Sequence, residues 1–415
     1  MQLDGFKYRM PRWHPFQDQA ACARVRAIKR EDITKSPSPQ LKINVIPDDQ
    51  FTLRMIMEIF GRIKGAADEG RRLVLILPQP EPLYSWVAFL INRYRVDCRN
   101  LYTFNMDEYA DQDGRIAPES WPNAFMYNMK VNFYGKLDPA LRPPERQIQG
   151  PTDENFGDYG KMIADLGGAD VCFGGIGWSG HVAYIEPGSE AFAPCSMEEW
   201  VKIGPRVVEL TPFSILQNSL GPEFGQNGDW SIVPPKGATI GPAEYFGARL
   251  RSSWNAFRGG SSMVSWQRFT VRMAAHGPIT PLIPATMLQM APSELYMAGS
   301  LAADIEPQSV EEFSWYSLRR VQSPGLRPPG WQFMHCPAIS EIPSSLCLFV
   351  SSPWLWQPKQ VQSRVAEGWQ VVHDPFAPRW FMGNVWLTVG GCQPDPALWH
   401  SEHCPCKWFA GRWSS

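Results

Sequence analysis

From Phe51 to Ala67 the apolar residues return every three or four positions, the spacing of one buried helix face, with Asp48 or Asp49 available as the N-cap. The uninterrupted run Leu73-Val74-Leu75-Ile76-Leu77 predicts a strand covered on both sides. Around this pair the pattern continues: a strand over Ile43–Ile46, a helix over Pro82–Tyr94, a strand over Leu101–Asn105, a helix over Ser120–Tyr134 and a strand over Ala169–Phe173. Strands alternating with helices predict an α/β fold, a Rossmann-like parallel sheet with helices on both faces. Crossovers in such a sheet are right-handed, and ligands collect beyond the carboxyl ends of the strands. Weaker strand patterns at Val207–Leu210, Ala238–Ile240 and Ser262–Val264, with a helix over Ser265–Ala275, extend the expected sheet to about residue 305. No repeat at a solenoid period is present.

The flanks read differently. Residues 1–40 end in Ser36-Pro37-Ser38-Pro39, which favours extended chain, and are expected to form an arm or linker to a domain over residues 41–305. Residues 306–415 form a Trp/Pro/Cys-rich tail, expected to be irregular and poorly ordered. Ten of the 18 tryptophans and five of the nine cysteines follow Pro307, without sustained periodicity. There His400, His403, Cys404 and Cys406 lack the loop that separates ligand pairs in zinc sites, so no metal is expected.

Bulk charge adds exclusions. With 39 basic and 41 acidic residues the formal net charge is −2, so no global field recruits nucleic acid or an anionic membrane. No segment reaches the length of apolar chain that spans a bilayer, and the N-terminus does not read as a secretory signal. Cys98 and Cys172 lie in apolar runs as buried thiols, consistent with a reducing cytoplasm. A small molecule is the expected partner, and self-association into a homo-oligomer is left open.

Two strand ends carry chemistry. Leu101–Tyr109 ends an apolar run on Asp107 and Glu108, and Gly174–Pro187 follows another with a glycine-rich turn that delivers His181 and Glu186. A carboxylate can serve as a general base, and a histidine can exchange a proton near neutral pH. Asp107 is therefore the candidate base. Its alternative reading is a side-chain cap on the next turn, and Glu108 has a capping reading of its own. Gly174, Gly175, Gly177 and Gly180 allow close backbone approach and could turn N–H groups toward an anion. The run fits neither a dinucleotide fingerprint nor a P-loop, so no cofactor is expected.

Together, Asn105-Met106-Asp107-Glu108-Tyr109 and the later Gly-Gly-x-Gly-x-x-Gly-His-x-Ala-x-x-Glu-Pro stretch resemble the glucosamine-6-phosphate deaminase/isomerase family, over about residues 41–305. Pro118-Glu119-Ser120 and the late turn Lys236–Gly241 support the match. The resemblance implies Asp107 as base, His181 as the ring-opening group and Glu186 as its orienting partner, with Glu108, Gly175, Gly177, Ser179 and Gly180 lining the substrate site. It implies isomerisation and deamination of an amino sugar or its phosphate.

Three positions depart from the family pattern. Ser179 stands where an aspartate is usual, and Pro78-Gln79-Pro80-Glu81-Pro82 replaces a phosphate loop rich in backbone donors. The usual phosphate-binding arginine and lysine align near Ile215 and Ser262. Arg249, Arg251, Arg268, Arg272 and His276 are nearby cations, most of them expected on solvated helix faces. Two other functions fit the same residues: a lactone hydrolase resembling 6-phosphogluconolactonases, which carry Arg after the Asp-Glu pair where this chain has Tyr109, and a non-catalytic sugar-binding or regulatory module.

Overall fold

The structure is a computed structural model that describes residues 8–78, 83–193, 196–256 and 265–305, and the backbone of 379–382 and 385–388. The weak strand at 262–264, the loop 79–82 and the His/Cys cluster at 400–406 lie outside the described residues. Contacts group Met1–Ile305 into one unit and Glu306–Ser415 into another.

In chain order the first unit contains α1 (Gln19–Ala27), β1 (Leu41–Ile46), α2 (Phe51–Asp68), β2 (Leu73–Leu77), α3 (Tyr84–Arg93), β3 (Leu101–Asn105), β4 (Asp107–Ala110), α4 (Phe125–Asn132), β5 (Ile148–Gln149), α5 (Tyr159–Asp165) and β6 (Val171–Gly174). It continues with α6 (Met197–Trp200), β7 (Arg206–Glu209), α7 (Pro212–Asn218), β8 (Lys236–Thr239), α8 (Pro242–Gly247), β9 (Leu250–Asn255), α9 (Gln267–His276) and β10 (Ser293–Ala298). In the second unit, β11 (Arg379–Met382) pairs antiparallel with β12 (Val385–Thr388).

A seven-stranded sheet in the order β1-β10-β9-β6-β2-β3-β5 is parallel throughout. β2 lies inside it, and every residue of Leu73–Leu77 is buried. The chain runs from β2 outward through β3 to β5, then returns to β6 on the other side of β2 and moves outward again. The order therefore reverses between β2 and β6, and loops leaving their carboxyl ends diverge there. Flanking helices supply the second layer, as the alternating pattern predicts. The buried face of α2, formed by Phe51, Met55, Ile56, Ile59, Phe60, Ile63 and Ala66, has the expected spacing.

Several details differ from the sequence reading. Neither Asp48 nor Asp49 caps α2; Gln50 precedes it without a side-chain cap, and Asp48 instead accepts hydrogen bonds from the Ser300 amide at 2.9 Å and hydroxyl at 2.5 Å. The segments Arg206–Glu209 and Lys236–Thr239 do not extend the parallel sheet. They form a second, antiparallel sheet with β4, in the order β4-β8-β7. Central strands β9 and β10 went unpredicted.

The cations expected on solvated helix faces include two in the interior. Arg251 lies on β9 and gives its donors to the carbonyls of Phe246, Ala248 and Pro292 and to Ser293 Oγ. Arg272, 0% exposed on α9, donates to the carbonyls of Ile28, Arg268, Leu301, Ala302 and Ala303. Carbonyl dipoles take the hydrogen bonds of each charge, and the charge of Asp304 also favours the Arg272 cation. Residues 8–40, read as an arm, carry α1, whose Ala21, Cys22 and Val25 are buried, with Cys22 and Val25 clustered with Met273 of α9.

Candidate active site

At Asn105 the chain leaves the parallel sheet. The Met106 amide still donates to Leu77 O at 2.8 Å, but its carbonyl accepts from Ile240 N at 3.1 Å, and β4 then pairs antiparallel with β8, Asp107 opposite Thr239. Successive side chains on a strand point to opposite faces, so Asp107 and Glu108 separate.

Glu108 turns toward α4. Its Oε1 accepts from the amides of Tyr109 and Phe125 and its Oε2 from that of Met126, each at 2.9 Å. The last two amides open α4, where a carboxylate satisfies otherwise orphaned donors. This explains why the helix begins at Phe125 rather than at Ser120. Burial raises the Glu108 pKa to about 7, opposed by the three backbone bonds. This geometry fits a cap, and Glu108 does not join the groups around His181.

Asp107 has the opposite supply. It is 5% exposed, and its Oδ1 has no hydrogen-bond partner among the described residues. Burial raises its pKa to about 7, against the lowering effects of Thr239, the charge of His181 and the Tyr184 backbone. The neighbouring Asn105 side chain likewise leaves Oδ1 and Nδ2 unpartnered among the described residues.

The glycine turn after β6 brings the second group. Gly177 is required by close approach: a Cβ there would lie 2.0 Å from His181 Nε2. Gly180 adopts φ +86°, a region that favours glycine, and Ala183 holds φ +51° in the turn that returns toward Glu186. The amides of Ile176, Gly177, Trp178 and Gly180 are all used internally, by Asn255 Oδ1, His181 O, Gln217 Oε1 and Gly177 O. The Gly177 and Gly180 amides, expected to face an anion, instead close the turn, while those of Ile176 and Trp178 tie it to β9 and to α7. Gly175 makes its own close approach, a Cβ there falling 3.1 Å from Trp254 O.

His181 Nδ1 lies 2.9 Å from Ser179 Oγ, 3.3 Å from Ser214 Oγ and 3.3 Å from Glu186 Oε2. Glu186 also accepts from Ser214 at Oε1, and from Ser179 at 3.3 Å and Thr211 at 3.2 Å, both at Oε2. Burial opposes ionisation of Glu186, but the His181 charge and the hydrogen bonds from His181, Ser214 and Thr211 outweigh it, and its pKa is lowered. Thr239, which pairs opposite Asp107, accepts from the Tyr184 amide at 3.1 Å, so the two strand ends meet in one site, where the charges of His181 and Glu186 both act on Asp107.

The structure thus brings Asp107, His181, Glu186, Ser179, Gly177 and Gly180 together and assigns Glu108 to the helix behind them. Sequence reasoning missed Thr211, Ser214, Gln217 and Asn218, which follow one another at helical spacing. Among the described residues no group of three His, Cys, Asp or Glu side chains could hold a metal ion, and no helix is long and apolar enough to cross a membrane.

The arrangement can hold one carboxylate with a free oxygen beside a histidine backed by an ionised carboxylate, which is acid–base equipment. No protein-family model matches the chain. It is similar to the glucosamine-6-phosphate deaminase of Phocaeicola vulgatus, 29% identical over 215 residues covering 48% of this chain and 73% of that protein. Similarity to the glucosamine-6-phosphate deaminase of Caenorhabditis elegans is 31% over 207 residues, 48% of this chain and 68% of the relative. A solved monomeric glucosamine-6-phosphate deaminase shares the fold with a TM-score of 0.51 at 19% identity, across 63% of this chain and 98% of that one. With these likenesses beside the two strand-end motifs, the chain belongs to the glucosamine-6-phosphate deaminase family.

Proposed function

We propose that the chain isomerises and deaminates an amino sugar or amino-sugar phosphate, with Asp107 moving the proton between C2 and C1 and the His181–Glu186 pair opening the ring. The observation that carries this reading is the buried Oδ1 of Asp107 beside that pair, without a hydrogen-bond partner among the described residues. A buried carboxylate with a lone pair to spare, and a pKa near 7, is a base matched to neutral pH.

In the first step His181 relays the proton of the C1 hydroxyl to the ring oxygen as the C1–O5 bond breaks and the C1 carbonyl forms. Asp107 then removes the C2 proton, giving an enolamine, and returns it to C1. The resulting C2 iminium adds water and expels ammonia, leaving a ketose. Charge on Glu186 supports the proton that His181 gains in passing.

Asp107→Asn tests the reading because it keeps size while removing the base. Deuterium exchange at C2 of glucosamine 6-phosphate, followed by NMR, should fall at least about a thousandfold while the melting curve stays cooperative. Exchange at the wild-type rate would make Asp107 structural. Hydrolysis of a sugar lactone with no ammonia released from any amino sugar would move the chain to another reaction class.

A further inference from the structure

Helix α7 presents four polar side chains to one segment. Thr211, its N-cap, and Ser214, Gln217 and Asn218 recur at intervals of three and four, the spacing of a single helix face. Each bonds to the stretch between Trp178 and Glu186: Thr211 and Ser214 to Glu186, Gln217 Oε1 from the Trp178 amide at 2.9 Å, and Asn218 Nδ2 to Tyr184 Oη at 2.8 Å. We propose that this face positions the ring-opening pair, and that Ser214 is the positioning residue that fixes which nitrogen of His181 carries the proton. The inference rests on the function proposed above for its catalytic consequence, but not for its geometry.

The argument is one of proton counting. A serine hydroxyl has one proton and two lone pairs. Ser214 donates its proton to Glu186 Oε1 and so presents only lone pairs to His181 Nδ1, 3.3 Å away. Ser179 donates to Glu186 Oε2 and likewise offers lone pairs to Nδ1, at 2.9 Å. With these lone pairs and Glu186 Oε2, 3.3 Å away, as its acceptors, Nδ1 holds the proton while Ser214 and Thr211 keep that carboxylate in line, and Nε2 keeps the lone pair that a ring-opening step needs. Ser179 alone does not enforce this, because its hydroxyl can turn and donate to Nδ1 instead. Ser214 comes from a separate element and, with Thr211, saturates Glu186 so that the carboxylate stays aligned. The sequence replaces a charged residue by Ser179, and the neighbouring helix supplies the missing order.

The test uses the full chain without substrate. Long-range proton–nitrogen NMR reports the tautomer of each of the seven histidines, and His181 is assigned by the signal lost in His181→Gln. Wild type should show a single Nδ1–H form. Ser214→Ala should mix the tautomers, Ser214→Thr should restore the single form, and ammonia release from cyclic glucosamine 6-phosphate should drop about tenfold in the alanine variant. Should Ser214→Ala unfold, Ser214→Cys, whose sulfur is a weak donor, replaces it with the same expected mixing. A single Nδ1–H form retained in a folded variant lacking the hydroxyl would overturn the proposal. The tautomer reading stands or falls whether or not any sugar is turned over, so its failure is separable from failure of the proposed reaction.

Discussion

Asp107 and Glu186 are both buried carboxylates facing one histidine, yet their acidities move in opposite directions. Exposure does not separate them, at 5% and 2%. Partners do. Glu186 collects hydrogen bonds from two serines and a threonine and adjoins His181, whereas Asp107 leaves one oxygen without a partner among the described residues. Burial destabilises a charge only as far as the protein withholds compensation, so one site can hold a carboxylate favoured as the anion beside one that titrates near neutrality.

The comparison breaks most sharply at Gly177. A methyl group there would occupy the position of the His181 ring, so Gly177→Ala should cost about 100-fold in turnover of a cyclic substrate. It should leave C2 exchange of an open-chain substrate nearly unchanged. Equal losses on both would mean that the histidine serves the carbon proton as well.

Stability gives the next contrast. Glu186→Gln puts an amide where four donors converge and should destabilise the fold by about 3 kcal/mol, read from denaturant midpoints. Asp107→Asn should act in the other direction at neutral pH. A carboxyl whose folded-state pKa is raised to about 7 keeps its proton while the unfolded chain, near 4, has released it. Wild-type stability therefore falls as pH rises between about 4 and 7, and the asparagine variant escapes that part of the loss. An increase in melting temperature of about 2–4 °C at pH 8, shrinking toward pH 4, is expected. A variant less stable than wild type at pH 8 would show that Asp107 supports the fold as an ion.

A finer outcome concerns the phosphate. Pro80 lacks an N–H and Glu81 is acidic, so calorimetry with matched amino sugars should give a preference for the phosphorylated one below about 100-fold, or 2.7 kcal/mol. A stronger preference would require a cation set that the early loop does not provide.

How much of this was legible depended on whether the cause was local. The motif residues stand within two short stretches, each ending a strand of plain apolar character, and the alternation from β1 to β3 follows from periodicity, whereas β5, two residues long, and α5, seven, give little periodic signal and are absent from the sequence reading. β9 was hidden because Arg251, Ser252 and Ser253 imitate a surface segment. Their burial makes sense only with partners such as Pro292 O and the side chains of Trp254 and Asn255, which bond to the two serines. Helix α7 was hidden for a related reason. Seven residues give little periodic signal, and its inward face is polar, so Thr211, Ser214, Gln217 and Asn218 read as solvent-facing until the glycine turn is laid against them. The start of α4 depended on Glu108, seventeen residues upstream of Phe125.

The guanidinium of Arg272 has a consequence for how the unit can be cut. It joins Ile28, near one end of the described unit, to Leu301, Ala302 and Ala303, near the other. Its pKa falls through burial only to about 10, so at neutral pH it remains a cation, held by carbonyls that carry no titratable proton. The two ends are therefore latched by a fastening whose hydrogen-bond acceptors do not titrate, with the charge of Asp304 also favouring the cation. A fragment beginning after Ile28 or stopping at Ser300 would leave that charge facing empty acceptor positions, whereas one running past Ala303 keeps the latch shut.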